Sequence, residues 1–262
     1  MQEEFIYQRK ITHTQYRHGD KKVKNGGLKG RLHPIITDKK NVFLRISDVG
    51  EKEAYYFAND KFISSAVLSK ITPTWGGGFF LFLIIFAITG GVKFPHEITT
   101  PFFIIFSIIS LLGFLFFVTY YFTMPLKENI FNREDGIITI PGFMWYKNIT
   151  MPVEKIIFTM SGPSSLQGGS AFRLLIERPD MLYTKYDCFF GGENCYQDLS
   201  FLLWYMDKNR PLPPGDAFDA YREQDFERRK AAGFPKPLFP SHFDTPEATP
   251  EQQAERKRIG GW

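Results

Sequence analysis

From residue 71 to residue 126 the chain reads ITPTWGGGFFLFLIIFAITGGVKFPHEITTPFFIIFSIISLLGFLFFVTYYFTMPL. Two long runs without an ionisable side chain, 71–92 and 98–126, are parted by the polar break Lys93-Phe94-Pro95-His96-Glu97. A spanning helix needs about 20 mostly apolar residues to cross roughly 30 Å of hydrocarbon, and both runs are long enough. Within residues 79–88 every residue except Ala87 is Phe, Leu or Ile. At roughly −0.3 to −0.6 kcal/mol each in mid-membrane, they sum to about −4 kcal/mol. That tolerates Gly76-Gly77-Gly78 near one end. A helix apolar on all sides belongs in a large protein core or in lipid, and little of the chain is left over to wrap this one. The reading is a two-helix transmembrane hairpin over 71–126.

The rest of the chain is organised around that hairpin. Its 262 residues leave room for one ordinary domain besides it. A net charge of +4 is too modest to argue for nucleic acid. Residues 1–10 are polar and no apolar run precedes residue 71, so the first span is expected to act as its own insertion signal. Lys61 and Lys70 on one flank, with Lys127 and Arg133 on the other, outnumber the single Lys93 of the connecting loop. The positive-inside rule therefore places both flanks and both termini in the cytoplasm, with loop 93–97 facing out. Trp75, Tyr120 and Tyr121 lie where interfacial aromatics belong. Ser107, Ser110 and Gly113 fall three apart, on one helical face that suits close packing. In a reducing compartment Cys188 and Cys195 are expected as free thiols.

In chain order, residues 1–32 read as a flexible basic arm, in which Lys21, Lys22 and Lys24 are candidates for contact with anionic lipid. Residues 33–70 hold strand signals at 41–47 and 54–57 and a short lead-in helix over 62–70. Beyond the hairpin, 127–210 alternates short β-forming runs with turn residues: 129–132, 137–140, 155–160, 171–177 and 183–190. Arg133-Glu134-Asp135-Gly136 is a four-residue hairpin loop, and Pro141-Gly142 is read as the end of that strand pair. A helix over 193–208 follows, with Leu199, Leu202, Leu203 and Met206 as its apolar stripe. Strands followed by one capping helix is the order of a pleckstrin-homology-like domain. The fold class is thus α+β: a transmembrane hairpin inserted in a cytosolic antiparallel β domain whose strands on both sides of the hairpin are expected to share a sheet, since two strands alone are marginal in water. Residues 211–262 read as a charged, proline-rich tail, with a short surface helix over 216–232, an extended Phe-Pro linker and a weakly helical or disordered end.

The chemistry-bearing motifs are missing. The five histidines are scattered, Gly76-Gly77-Gly78 lacks the following Lys-Ser/Thr of a phosphate loop, and no G-x-S-x-G occurs. No ionisable group lies inside either span, so no proton or ion path is indicated. The sequence offers no catalytic, cofactor-binding or metal-ligating residues, and no cofactor is expected. The expectation is a binding protein and not an enzyme. A lipid-headgroup or membrane-assembly module is the second reading, and a membrane enzyme without a linear motif the third.

Three segments carry a resemblance: Phe131-Asn132-Arg133-Glu134-Asp135-Gly136-Ile137, Pro211-Leu212-Pro213-Pro214-Gly215, and Arg228-Arg229-Lys230-Ala231-Ala232-Gly233-Phe234-Pro235. Together they resemble an uncharacterised proteobacterial family of two-helix membrane proteins encoded near type VI secretion effectors. The resemblance spans about residues 30–240 and brings no assigned functional residues. It implies a bacterial inner-membrane immunity or effector-accessory protein, with loop 93–97 periplasmic and, in the immunity version, a secreted toxin as its partner.

Overall fold

The structure is a computed structural model and describes residues 10–14, 31–38, 56–65, 70–161, 172–180, 185–188 and 194–262. The strand expected at 41–47 and the basic cluster Lys21, Lys22 and Lys24 lie outside the described residues. Strands β1 (Arg31–Leu32), β2 (Tyr56–Ala58) and β3 (Phe62–Ser65) precede two long helices, α1 (Ile71–Lys93) and α2 (Pro101–Thr123). After them come β4 (Asn129–Asn132), β5 (Ile137–Ile140), β6 (Ile149–Pro152), β7 (Phe158–Met160), β8 (Leu174–Glu177) and β9 (Lys185–Cys188). Helices α3 (Cys195–Met206), α4 (Arg222–Ala231) and α5 (Pro250–Gly260) complete the α+β order. The strands form two antiparallel sheets, β2-β3-β4-β5-β6 and β1-β7-β8-β9.

The chain divides into two compact units. One comprises Met1–Ala66, Glu128–Ile140 and Ile149–Trp262; the other comprises Val67–Lys127 and Pro141–Asn148. The strands on either side of the long helices do share a sheet, with Ser65 opposite Asn129 and Phe62 opposite Asn132. The expected lead-in helix over 62–70 gives way to β3 in its first part. Asn59 Oδ1 accepts from the backbone N–H groups of Lys61 and Phe62 at 2.8 and 2.7 Å. That turn folds 62–65 back on β2, and β4 supplies the second neighbour. Pairing on both edges outweighs a weak local preference. The Arg133–Gly136 turn forms as read, with Gly136 at φ +66°, a conformation glycine adopts without steric cost. Pro141-Gly142 does not end the sheet. β6 adds to β5, the Thr139 and Thr150 hydroxyls meet at 2.8 Å across the pair, and Pro152 closes the edge strand.

The basic arm is not wholly a solvated tail. Thr12 N–H donates to the Thr150 carbonyl at 3.0 Å, and Thr12 Oγ1 accepts from Thr150 N–H at 2.9 Å. A larger correction concerns 211–262, expected as a surface helix, an extended linker and a weakly helical or disordered end: helices form in both places, but the segment is packed and not a solvated tail. α3 begins on an Asn194 cap that accepts from Tyr196 and Gln197 N–H. It carries an apolar stripe against the sheet, yet its outer face is buried as well. The C-terminal segment covers that face. Phe218 lies 5.7 Å from Tyr205, ring centre to ring centre, and Phe243 lies 5.9 Å from Trp204. Trp204 Nε1 donates to the Pro211 carbonyl at 2.8 Å. Phe234 and Phe239 are buried, and Ser241 forms a parallel bridge with Ile36. Each buried aromatic here contributes about 1.5–3 kcal/mol of apolar transfer. A composition that looks charged on average therefore hides a docking face.

Candidate functional site

Among the described residues two places concentrate unusual side chains, and each lies within one unit. In the first unit, charged groups are gathered under the C-terminal segment. Arg133, at the head of the β4–β5 turn, is 1 % exposed. Its Nη1 donates to the Tyr205 carbonyl at 2.6 Å, and its Nη2 donates to the Arg210 carbonyl at 2.6 Å and to Asp225 Oδ1 at 3.1 Å. Asp225 also holds Arg229 Nε at 2.8 Å and Arg228 Nη2 at 2.7 Å. Arg229 passes the chain of charges on, donating with both Nη atoms to the Glu247 carboxylate at 2.7 Å, which Arg256 Nη1 of α5 reaches at 3.1 Å. Burial pushes the Asp225 carboxyl up, but Arg133, Arg229 and Arg228 together bring it below the ordinary range. Asp60, next to the same group, is raised by burial. The planar fork of arginine satisfies several acceptors at once, as buried ion pairs need. The network fastens α4 and α5 to the sheet turn. Cys188 and Cys195 are free thiols, both buried, and burial pushes both thiols up. Among the described residues no group of His, Cys, Asp and Glu is arranged to hold a metal ion.

The second place is the pair of long helices, each long and apolar enough to cross a membrane. At 1.5 Å per residue each is about 34 Å long. Gly76 and Gly77 of α1 meet Phe117 of α2, Phe80 meets Gly113, and Gly91 meets Phe103. Small residues set the approach. Phe117 of α2 lies over Gly76, where an added Cβ would come within 2.5 Å of its ring, and Phe80 of α1 lies over Gly113 in the same way. The two phenylalanine rings stack at 5.8 Å. Ser110 is buried on this seam, its hydroxyl donating to the Phe106 carbonyl at 2.8 Å, while Ser107 is half-buried at the seam's margin. Thr100 caps α2 and Pro101 takes its first turn, where no N–H is missed.

The three expected interfacial aromatics separate. Trp75 is 78 % exposed on α1, and Tyr121 lies under Lys70 Nζ at 4.9 Å. Tyr120 is 8 % exposed because another tryptophan covers it. That tryptophan, Trp145, belongs to the β5–β6 connection, residues 141–148, of which sequence reading took Pro141-Gly142 for the end of the strand pair. Its ring is 5.1 Å from Tyr120 and 5.7 Å from Phe116, and its Nε1 donates to Thr123 Oγ1 at 2.7 Å. Lys127 Nζ donates to the Tyr146 carbonyl at 2.5 Å, and Asn148 Nδ2 to the Leu126 carbonyl at 3.0 Å. The outer sides of Phe143, Trp145 and Tyr146 remain 63, 42 and 55 % exposed. The signal that reveals this loop in the sequence is four large apolar or aromatic residues in a row, 143–146, where a loop should be polar. Compared with known protein families, with curated proteins and with solved structures, the chain matches none of them.

Proposed function

We propose that α1 and α2 cross a lipid membrane as a hairpin and that the sheet unit is a protein-binding module held at that membrane. The observation that carries this reading is the outward exposure of apolar side chains along both helices, among them Phe82, Phe86, Ile88, Ile105, Ile109 and Leu112. Soluble proteins rarely leave a contiguous apolar surface of more than a few hundred Å² in water, whereas hydrocarbon suits such a surface. The basic flanks against the single Lys93 of the loop favour cytoplasmic termini with 93–97 on the far side, and the family resemblance makes that membrane a bacterial inner membrane and the far side the periplasm. The order of strands followed by α3 supports a pleckstrin-homology-like reading of the sheet unit. The family resemblance makes the partner a secreted toxin that acts at or crosses the inner membrane, with this chain as its immunity or accessory protein.

Membrane crossing is tested by cysteine labelling in intact cells, the native thiols being buried. His96→Cys should react with an impermeant maleimide from outside and Lys257→Cys only after the cells are opened; reaction of both from outside sinks the proposed topology. The partner is sought by purifying the detergent-solubilised protein from its own cells. One specific co-purifying protein whose toxicity is relieved by co-expression supports the immunity reading. Persistent toxicity with confirmed expression rejects it for that toxin. Recovery of lipid alone would favour the headgroup-binding alternative.

A further inference from the structure

Resting on the membrane-hairpin reading, we propose that residues 141–148 form a second membrane contact, a lipid-interface anchor in which Phe143, Met144, Trp145 and Tyr146 enter the boundary between headgroups and acyl chains. The loop's depth is fixed by its partners. Trp145 is bonded to Thr123 in the last turn of α2, Asn148 to the Leu126 carbonyl just beyond it, and Lys127 to the Tyr146 carbonyl. The exposed rings therefore continue the apolar surface of α2 at the level where that helix ends, which is where hydrocarbon gives way to headgroups.

The side-chain types fit that level. Trp and Tyr combine an apolar body with a polar edge and concentrate at membrane–water boundaries. Trp75 and Tyr121, near the same end of the antiparallel pair, add to the band. The loop is also built to hold its shape. Met144 adopts φ +47°, a region that residues other than glycine seldom occupy. Gly142 packs so closely on the Tyr146 and Lys147 carbonyls that an added Cβ would run into them. Strain of this sort persists where the surroundings fix it, and it lies in the loop whose rings stay exposed. A water-facing connection between two strands would need neither the strain nor the rings. The continuity with α2 points to lipid as the occupant, with a protein surface as the competing one.

The test uses the full chain reconstituted in phosphatidylcholine–phosphatidylglycerol vesicles, with a nitroxide on one introduced cysteine at a time. Phe143→Cys and Tyr146→Cys report on the loop, Phe82→Cys on the outer face of α1, and Glu227→Cys on an exposed site of α4. Collision rates with oxygen and with a nickel chelate give depth. The expected result places the two loop labels roughly 5–10 Å into the interface, between the Phe82 label in hydrocarbon and the Glu227 label in water. Loop labels as open to nickel as Glu227, with Phe82 in hydrocarbon, overturn the anchor and leave the hairpin standing. Loop labels shielded from both reagents mean protein contact and overturn the lipid assignment. A Phe82 label open to nickel overturns the hairpin reading itself.

Discussion

Arg133 shows how far a residue's role can lie from its local meaning. The Arg-Glu-Asp-Gly sequence announces a turn, and the turn is there. Nothing near it announces that its first side chain binds Asp225, 92 residues later, because pairing over that separation leaves no periodic trace. Removing one partner of a buried pair costs about 3–5 kcal/mol. Arg133→Met is expected near the lower end, since Asp225 keeps Arg229 and Arg228. Arg133→Lys should not restore stability, for one ammonium cannot reach two carbonyls and a carboxylate as the fork does. Urea unfolding of the detergent-solubilised protein measures both, and an unchanged midpoint for Arg133→Met removes the network from the stability account. The two neighbouring aspartates titrate with opposite sign. Asp225 is held below its ordinary value of 3.8, so its stabilisation is present above that pH and is lost as pH falls through the folded value. Asp60 is raised above 3.8, so its contribution favours folding at low pH and is lost as pH rises. Asp225→Asn should flatten the acid side of a stability–pH curve, whereas Asp60→Asn should raise the midpoint at neutral pH.

Among the elements, those with a single physical cause were the most legible. Uninterrupted apolar length announces α1 and α2, and an Asp-Gly turn between β-forming runs announces β4 and β5. β3 and the docking of the C-terminal segment were not legible, because each depends on a distant partner. α5 is an example: its sequence is charged, yet Thr249 caps it by accepting from Gln252 N–H at 3.3 Å, and Arg256 is buried against Glu247. Thr249→Ala should cost about 1 kcal/mol, read as a lower unfolding midpoint. Of the small residues singled out in α2, Gly113 is the one whose replacement meets a ring. Gly113→Ala is expected to separate the helices, and Phe80→Leu in the same chain to recover part of the loss. Thermal unfolding in detergent over the four-member cycle measures that coupling; strict additivity would mean that the Phe80–Gly113 contact does not set the approach. The aromatic loop escaped sequence reading because attention to strand periodicity passes over the connection between two strands.

At the scale of the whole molecule, the division into two units predicts separable failure. A chain ending at residue 233 loses Glu247 and α5, leaving Asp225 as the one carboxylate of this network still bound to Arg229. The sheet unit should then become protease-sensitive while α1 and α2 still resist extraction by alkaline carbonate. Loss of membrane retention in that truncated chain would mean the units depend on one another. The pairing of β3 with β4 has a further consequence for how the protein is made. Ser65 and Asn129 are neighbours, yet 63 residues lie between them. At 5–20 residues per second, β3 leaves the ribosome roughly 3–13 s before its partner. On the membrane reading, a nascent chain that inserted only one span would carry β4 to the far side of the bilayer, out of reach. On that reading a chain with a single inserted span cannot finish the five-stranded sheet, so sheet completion acts as a biosynthetic checkpoint against half-inserted chains.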